Sequence, residues 1–600
     1  MSRRAEVEKL PIDETAQPPR WLPWLLVVAV VLTFGRIVLH PFVPADDYTT
    51  IALNKRLNPP SFTAESIGWY WANPGEGLYA PVTYTAWGLL ARASYVDSPD
   101  EDRVHVDPAF FHAASLIVHA ISALLAFALL RRLLAAGPGK AAAPPVVPYA
   151  AAGGALLFAL HPLQAEPVAW ASGLKDLLAG MFGLAALVLY FRATADRAGE
   201  APPEPRPNPA RKRTARTEPR PPGRSFSLPH YLAATACFAL ALLSKPSAVT
   251  VPVLAAIIDW LWFRRPARAV ALRLAPWVLL AIPIAILAKL VQSGGDIPHT
   301  PFLERPVVAG ASLAFYLGEL VWPTELAFDH GWRPPVVLRQ TWFWLIALVP
   351  LVVAVVLVIF RRRPTARALA TAGLLMAAAL GPVLGLAPFS YQFFSTVADH
   401  YMYLAMVGPA LAAAWLLSRP ALAKRATVAL AAAVLLGLAV LTVVQLGHWR
   451  DHETFCRRII AVTPDSAFGH EMLGKYFVRK GRLPEAEASL RRAVQINPDF
   501  VDAHRGLLRV YGDQGRVGDY VATVRAIRQT SAGRREAAER VAVRVGPDDA
   551  LTVAGARALA AGRREEAIGY LTAALEDDPR DERAAALLGV ARGEVPIKPR

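Results

Sequence analysis

Apolar residues in this chain gather in long blocks separated by short polar segments, and each block is predicted to form a helix. The first block, 21–40, carries a single charge, Arg36, near its far end. Ten more follow at about 110–130, 146–163, 174–191, 228–243, 249–263, 270–291, 341–360, 369–388, 401–417 and 426–446. Several reach the roughly 18–20 residues that a helix needs to cross a bilayer. A further apolar stretch at 307–322 is short and interrupted by Glu319. It is read as a helix lying in or dipping into the interface. The first block resembles the core of a signal peptide, but it is too long and lacks a small-x-small cleavage site, so it is read as a retained anchor.

The pattern changes after Trp449. Pro464 and Pro498 stand 34 residues apart, and between them lie Leu473-Gly474, Phe477, Ala486, Leu490 and Ala493. Small residues where paired helices touch and large ones filling the gaps are the tetratricopeptide pattern. A second copy ends at Pro579, with Gly555, Ala567, Leu571 and Ala574. The copy between them keeps Leu507 and Tyr511 but has Tyr520 where a small residue is expected. About three repeats is roughly the minimum for a stacked core. The predicted fold is therefore all-α: a polytopic membrane domain of about eleven spans over 21–448, then an α-solenoid of tetratricopeptide repeats over 449–600.

Composition agrees with lipid as the main solvent: 54% of residues are hydrophobic and 19% charged, and the mean hydropathy is +0.32. The net charge of +16 does not indicate nucleic acid, because the excess sits in short segments between apolar blocks, where the positive-inside rule accounts for it. Arg131-Arg132, Arg211-Lys212-Arg213, Arg264-Arg265, Arg361-Arg362-Arg363 and Lys424-Arg425 then share the cytoplasmic side. Residues 1–20 become a cytoplasmic tail, 41–108 a first extracytoplasmic loop, 192–227 a disordered basic cytoplasmic loop and 292–340 a second extracytoplasmic region. An odd span count puts the repeats outside the inner (cytoplasmic) membrane. The two cysteines, Cys237 and Cys456, lie in different halves, so no disulfide is expected, and no residues have metal-cluster spacing.

Polar residues at the edges of membrane blocks are costly and mark function by default. With this topology Asp46, Asp47, His161, Glu166, Lys175, Asp176, Lys245, Asp399 and His400 collect at one face. Each also has a plainer reading. Asp46-Asp47 suits a helix cap, and His161 and Glu166 suit a paired, kinked span end. Lys175-Asp176 suits an ion pair, Lys245 a snorkelling lysine, and Asp399-His400 with Tyr401 and Tyr403 an interface patch. Trp69, Tyr70, Trp71, Tyr79 and Tyr84 of the first loop fit an aromatic belt or flat faces lining a sugar site.

The runs His161-Pro-Leu-Gln-Ala-Glu-Pro-Val-Ala-Trp170, Gly173-Leu-Lys-Asp-Leu-Leu178, Leu-Leu-Ser-Lys245 and Ala-Asp399-His-Tyr-Met-Tyr403 resemble a known series. So do Asp46-Asp47, Tyr79-Ala-Pro-Val-Thr83 and Phe111-His112. The series is that of the transmembrane and tetratricopeptide-repeat O-mannosyltransferase-like family, within the C-type glycosyltransferase superfamily. The resemblance covers nearly the whole chain. Two positions depart from it: His400 stands where an Arg is usual, and Pro246 follows the lysine where an acid is usual. The resemblance implies transfer of a sugar, mannose or a similar hexose, from a polyprenyl-phosphate carrier to a hydroxyl, on the extracytoplasmic face. Protein Ser/Thr is the implied acceptor, with a protein or peptide held by the repeats. Asp47, with Asp46 in reserve, is the implied base. Lys245 and His400, with Lys175, Asp399 and Tyr403, are the implied donor-phosphate residues, supported by His161, Glu166 and Asp176. No metal is required, although the acid pair leaves a divalent ion open. A non-catalytic anchor whose repeats assemble envelope proteins is the competing reading. A transporter is disfavoured, because the spans show no repeated halves.

Overall fold

The computed structural model describes residues 18–58, 60, 62–74, 77–99, 103–136, 145–194, 226–292, 300–419, 425–530, 550–579 and 581–594. Most of the expected 1–20 tail and of the 192–227 loop lies outside the described residues. Among the described residues the secondary structure is helical, with two isolated bridges, Leu57 to Pro60 and Tyr95 to Val106. The chain divides into two compact units. One comprises Met1–Phe328 and Trp332–Asp451, the other Asp329–Gly331 and His452–Arg600.

The first unit is a multi-pass helical membrane domain. Seven described helices are long and apolar enough to span: Trp21–Leu39, Pro108–Ala135, Ala171–Ala193, Ala267–Val291, Thr341–Ile359, Pro364–Val383 and Arg425–Trp449. An eighth span arises if Asp399–Ala405 and Val407–Leu417, bent by 51° at their junction, count as one. The apolar blocks at 147–160, 228–244 and 246–262 form shorter helices, which is where this number and the eleven blocks of the sequence diverge. Hydropathy registers apolar composition, whereas the backbone here leaves the helical path early, at His161 and at Lys245.

Burial orders these helices. The window of Ala171–Ala193 is 72% buried, against 6% for both Thr341–Ile359 and Arg425–Trp449. The first is therefore the hub and the other two face outward as apolar surface, as a lipid solvent permits. The hub packs on Leu228–Ser244 and Pro108–Ala135, and Val407–Leu417 packs on Val147–Leu160 and Pro364–Leu380. Small residues allow these approaches: a Cβ on Gly154 would meet the Ala410 carbonyl oxygen at 2.5 Å.

Between Val147–Leu160 and Leu174–Ala193 the chain makes three short turns, Pro162–Gln164, Ala165–Ala169 and Ala171–Gly173. Non-helical backbone survives at membrane depth only where protein covers it, and every residue from Phe158 to Leu174 is buried. Gly173 is needed there, since a Cβ would meet the Pro167 carbonyl oxygen at 2.5 Å.

The second unit is built of amphipathic helices, among them Ala467–Arg479, Leu483–Ile496, Val501–Asp513, Val517–Gln529, Ala550–Ala560, Arg564–Asp577 and Glu582–Arg592. They pack in consecutive pairs. Gly481, Gly515 and Gly562 turn the chain inside three of these pairs with φ of 69°, 70° and 75°, a conformation that costs glycine little. Equivalent close contacts recur: Gly474 lies against Leu490, and Gly555 against Leu571.

Candidate functional site

The segment after the first span is pinned by one carboxylate. Asp47 is wholly buried at the start of the six-residue turn Asp47–Ala52. Its Oδ1 accepts the Ser172 N–H at 2.7 Å and its Oδ2 the Val43 N–H at 3.2 Å. Thr50 adds a hydroxyl contact to Ser172 at 2.8 Å. Asp47 thus ties the first loop to the buried turns before the hub helix. Burial pushes its carboxyl up to about 6, against the hydrogen bonds from Ser172, which hold it down.

Asp46 faces the other way. Its side chain is 51% exposed, and its Oδ2 receives the Lys175 ammonium at 3.2 Å. Neither aspartate caps the helix that follows: Asp46 makes no side-chain cap bond, and Asp47 accepts from Val43 and Ser172. Lys175 also lies 4.4 Å above the Trp170 ring, a favourable cation–π placement.

Trp170 leads to the second group, its ring 5.4 Å from that of His400. His400 Nδ1 is 2.5 Å from Glu166 Oε1. The contact holds a proton between the two groups, and Nε2 is left to meet a ligand. Burial first, then the nearby Asp399 and Asp176, raise the Glu166 carboxyl well above the usual range. Lys245 donates to Asp176 Oδ1 at 2.5 Å. Burial lowers its ammonium from the usual lysine value, and Asp176 opposes that shift. Glu166 Oε2 and Asp176 Oδ2 are buried without a hydrogen-bond partner. Asp176, Lys245, His400, Tyr401 and Tyr403 border a cavity of about 40 Å³. At ~10–15 Å³ per water it holds about three waters, the scale of a phosphate group rather than of a hexose.

Tyr403 lines this cavity and holds its hydroxyl 3.1 Å from His119 Nδ1; His119 Nε2 in turn donates to the Ala159 carbonyl at 3.0 Å. Asp399 is buried in the turn Asp399–Tyr401 beside His400. His161 stands apart from the cavity. Its Nδ1 accepts the Leu163 N–H at 3.2 Å and its Nε2 donates to the Leu320 carbonyl at 3.1 Å. Burial lowers it to about 4, so it is a neutral ring that satisfies backbone at the end of a helix.

The structure therefore brings Asp46, Lys175, Glu166, His400, Lys245 and Asp176 into one linked group, with Asp47 and His161 holding its walls. Sequence reasoning gave no role to Ser172, Trp170 or Thr83. Trp170 and Thr83 stood inside the quoted motifs, yet their contacts are with residues far along the chain. Thr83, on the helix Pro81–Ala93, is fully buried and donates to the Ser244 carbonyl at 2.9 Å, one residue before Lys245. Among the described residues no group of three or more His, Cys, Asp and Glu is placed to hold a metal ion. The Asp46-Asp47 pair does not fit one either, since both Asp47 oxygens are taken by backbone amides.

A multi-pass helical domain with a buried cluster of acids and bases around a small cavity defines the class. No family model matches the chain. Over 519 residues, 77% of this chain, it is 26% identical to the mouse protein O-mannosyl-transferase TMTC4, a distant likeness. The match covers 65% of that relative's length.

Proposed function

We propose that the chain is a membrane glycosyltransferase that moves mannose or a similar hexose from a polyprenyl-phosphate carrier to a hydroxyl of a protein. The observation that carries this reading is the meeting of one accessible carboxylate, Asp46, with Lys175, Lys245 and His400 beside a phosphate-sized cavity. The likeness to an O-mannosyl-transferase supports the same chemistry.

The acceptor hydroxyl is a poor nucleophile until its proton leaves, and a carboxylate within hydrogen-bond reach takes it as the new C–O bond forms. We assign that role to Asp46 rather than Asp47, because Asp47 is buried with both oxygens occupied. The bond from the anomeric carbon to the phosphate oxygen breaks on the opposite face, and its electron pair stays on phosphate. Single displacement inverts the anomeric centre. Lys245, His400 and Lys175 receive the developing charge, the largest contribution available to such a site. Glu166 orients His400, and Asp176 orients Lys245.

The remaining parts of the reading are the eleven-span topology, with the cation clusters in the cytoplasm, and a tetratricopeptide stack on the extracytoplasmic side. Stacked helix pairs form concave surfaces suited to an extended peptide, and the second unit is the acceptor-holding element. The test is mass spectrometry of envelope proteins from cells with and without the chain. It is paired with transfer from a polyprenyl-phosphate mannose by the purified full chain. Hexose on Ser/Thr only when the chain is present supports the reading. Identical glycosylation and no transfer overturn it in favour of an anchor.

A further inference from the structure

Lys175 stands between the two halves of the proposed site. Its ammonium touches Asp46 at 3.2 Å and Trp170 at 4.4 Å, and Trp170 abuts His400 on the cavity wall. It opens the hub helix, and the next residue, Asp176, lines the cavity. The other two groups that could meet a phosphate are held by enclosed partners: Lys245 by Asp176, and His400 by Glu166. Lys175 is held by a carboxylate that is half exposed, the weakest pairing of the three in a screened setting. Its backbone is one residue from the cavity-lining Asp176, and its four-carbon stem is flexible. While the ammonium sits on Oδ2, that oxygen is not free to accept a proton from an acceptor hydroxyl.

We propose that Lys175 couples the two substrates: in the empty site its ammonium caps Asp46, and when the carrier's phosphate enters the cavity the ammonium moves to it and releases Asp46 for the acceptor. This rests on the transferase reading above. An enclosed phosphate oxygen competes well against a half-exposed carboxylate, because attraction strengthens as water is excluded. One movement then does two things. It frees the base, and it brings a second ammonium, beside that of Lys245, to the oxygen that gains an electron pair when the sugar departs. Donor binding therefore precedes productive acceptor binding.

The test is zero-length cross-linking of the full chain in nanodiscs with a water-soluble carbodiimide. The reagent activates a carboxyl, a touching amine displaces it as a urea, and an amide remains. The Asp46–Lys175 amide is read by peptide mass spectrometry. The probes are a short-chain polyprenyl phosphate and the matching alcohol, and phosphorus NMR line broadening reports binding of the phosphate. The empty protein is expected to form the amide. Saturating lipid phosphate lowers its yield about tenfold or more, as a shift of most molecules to the released state requires, and the alcohol leaves it unchanged. Lys245→Ala raises the lipid phosphate needed for that loss, and Lys175→Arg forms no amide. Bound lipid phosphate with an unchanged amide overturns the coupling and leaves the transferase reading standing. So does absence of the amide in the empty protein. Failure of lipid phosphate to bind at all overturns both.

Discussion

Neighbouring aspartates with opposite surroundings allow a sharp experiment. Asp46→Asn removes the accessible carboxylate. A positioned base contributes about 10²–10⁴ in rate, or ~3–5 kcal/mol of barrier at 1.36 kcal/mol per decade. The ion pair lost with it is half exposed and worth at most ~1 kcal/mol of stability, so transfer collapses while the melting temperature barely moves. Asp47→Ala orphans the N–H groups of Ser172 and Val43. Each buried unpaired amide costs ~1–3 kcal/mol. Relief of a buried charge, whose pKa stands at about 6 rather than 3.8, returns up to ~3 kcal/mol at neutral pH. Two such amides set against the full return leave a net loss of about 0–3 kcal/mol, at most a drop of a few degrees in melting temperature, with transfer reduced less than tenfold. The assays are transfer from a lipid-linked mannose and thermal unfolding in detergent, on the same preparations. Wild-type transfer by Asp46→Asn, with lost transfer and unchanged melting in Asp47→Ala, would refute the assignment.

The raised Asp47 carboxyl also sets a pH dependence. Its folded pKa, about 6, exceeds the ordinary 3.8, so the folded state binds the proton more tightly. The associated stability is full below pH 4 and is lost as pH rises through 6, ~3 kcal/mol in all. Melting curves from pH 4 to 7 should show Asp47→Asn gaining on wild type as pH rises; parallel curves would contradict this. Replacing His400 by Ala removes a donor to the departing phosphate and should cost transfer ~10²–10³-fold, whereas Gln at that position should recover part of it. Gly474→Ala and Gly555→Ala each place a Cβ 2.5 Å from a leucine Cγ. Overpacking of that kind costs ~1–3 kcal/mol and should lower the melting point of the repeats without touching the membrane site. A reporter fused after Arg600 should read as extracytoplasmic.

The helical class and the change of pattern after Trp449 were legible because both rest on local periodicity. The grouping of Lys175, Asp176, Lys245 and Glu166 was legible as well, since each ends or begins an apolar block. Which aspartate faces inward was not. Asp47–Ala52 is a single π-helical turn, so neither the α-helical nor the strand period assigns its faces, and the amide that Asp47 binds most closely belongs to Ser172, 125 residues away. His161 looked reactive by type, yet its two nitrogens serve backbone groups, a need that arises only once the helix Val147–Leu160 stops there. Breaks within spans were equally hidden. Residues 341–359 divide into Thr341–Ile346 and Val349–Ile359, and 399–417 bends at Met406, although hydropathy runs through both.

The bend at Met406 bears on biogenesis. Just past it Gly408 lies so near the helix Pro364–Leu380 that a Cβ would collide with the Ala372 carbonyl and meet the Met376 nitrogen at 3.0 Å. A segment bent at this point is held by close packing on the neighbour that fits the bend, so that helix is its template. Synthesis delivers the template first, because it precedes the bend in the chain. The order of emergence from the ribosome is thus also a workable order of membrane assembly, with the cavity-lining turn Asp399–Tyr401 formed after the wall it leans on.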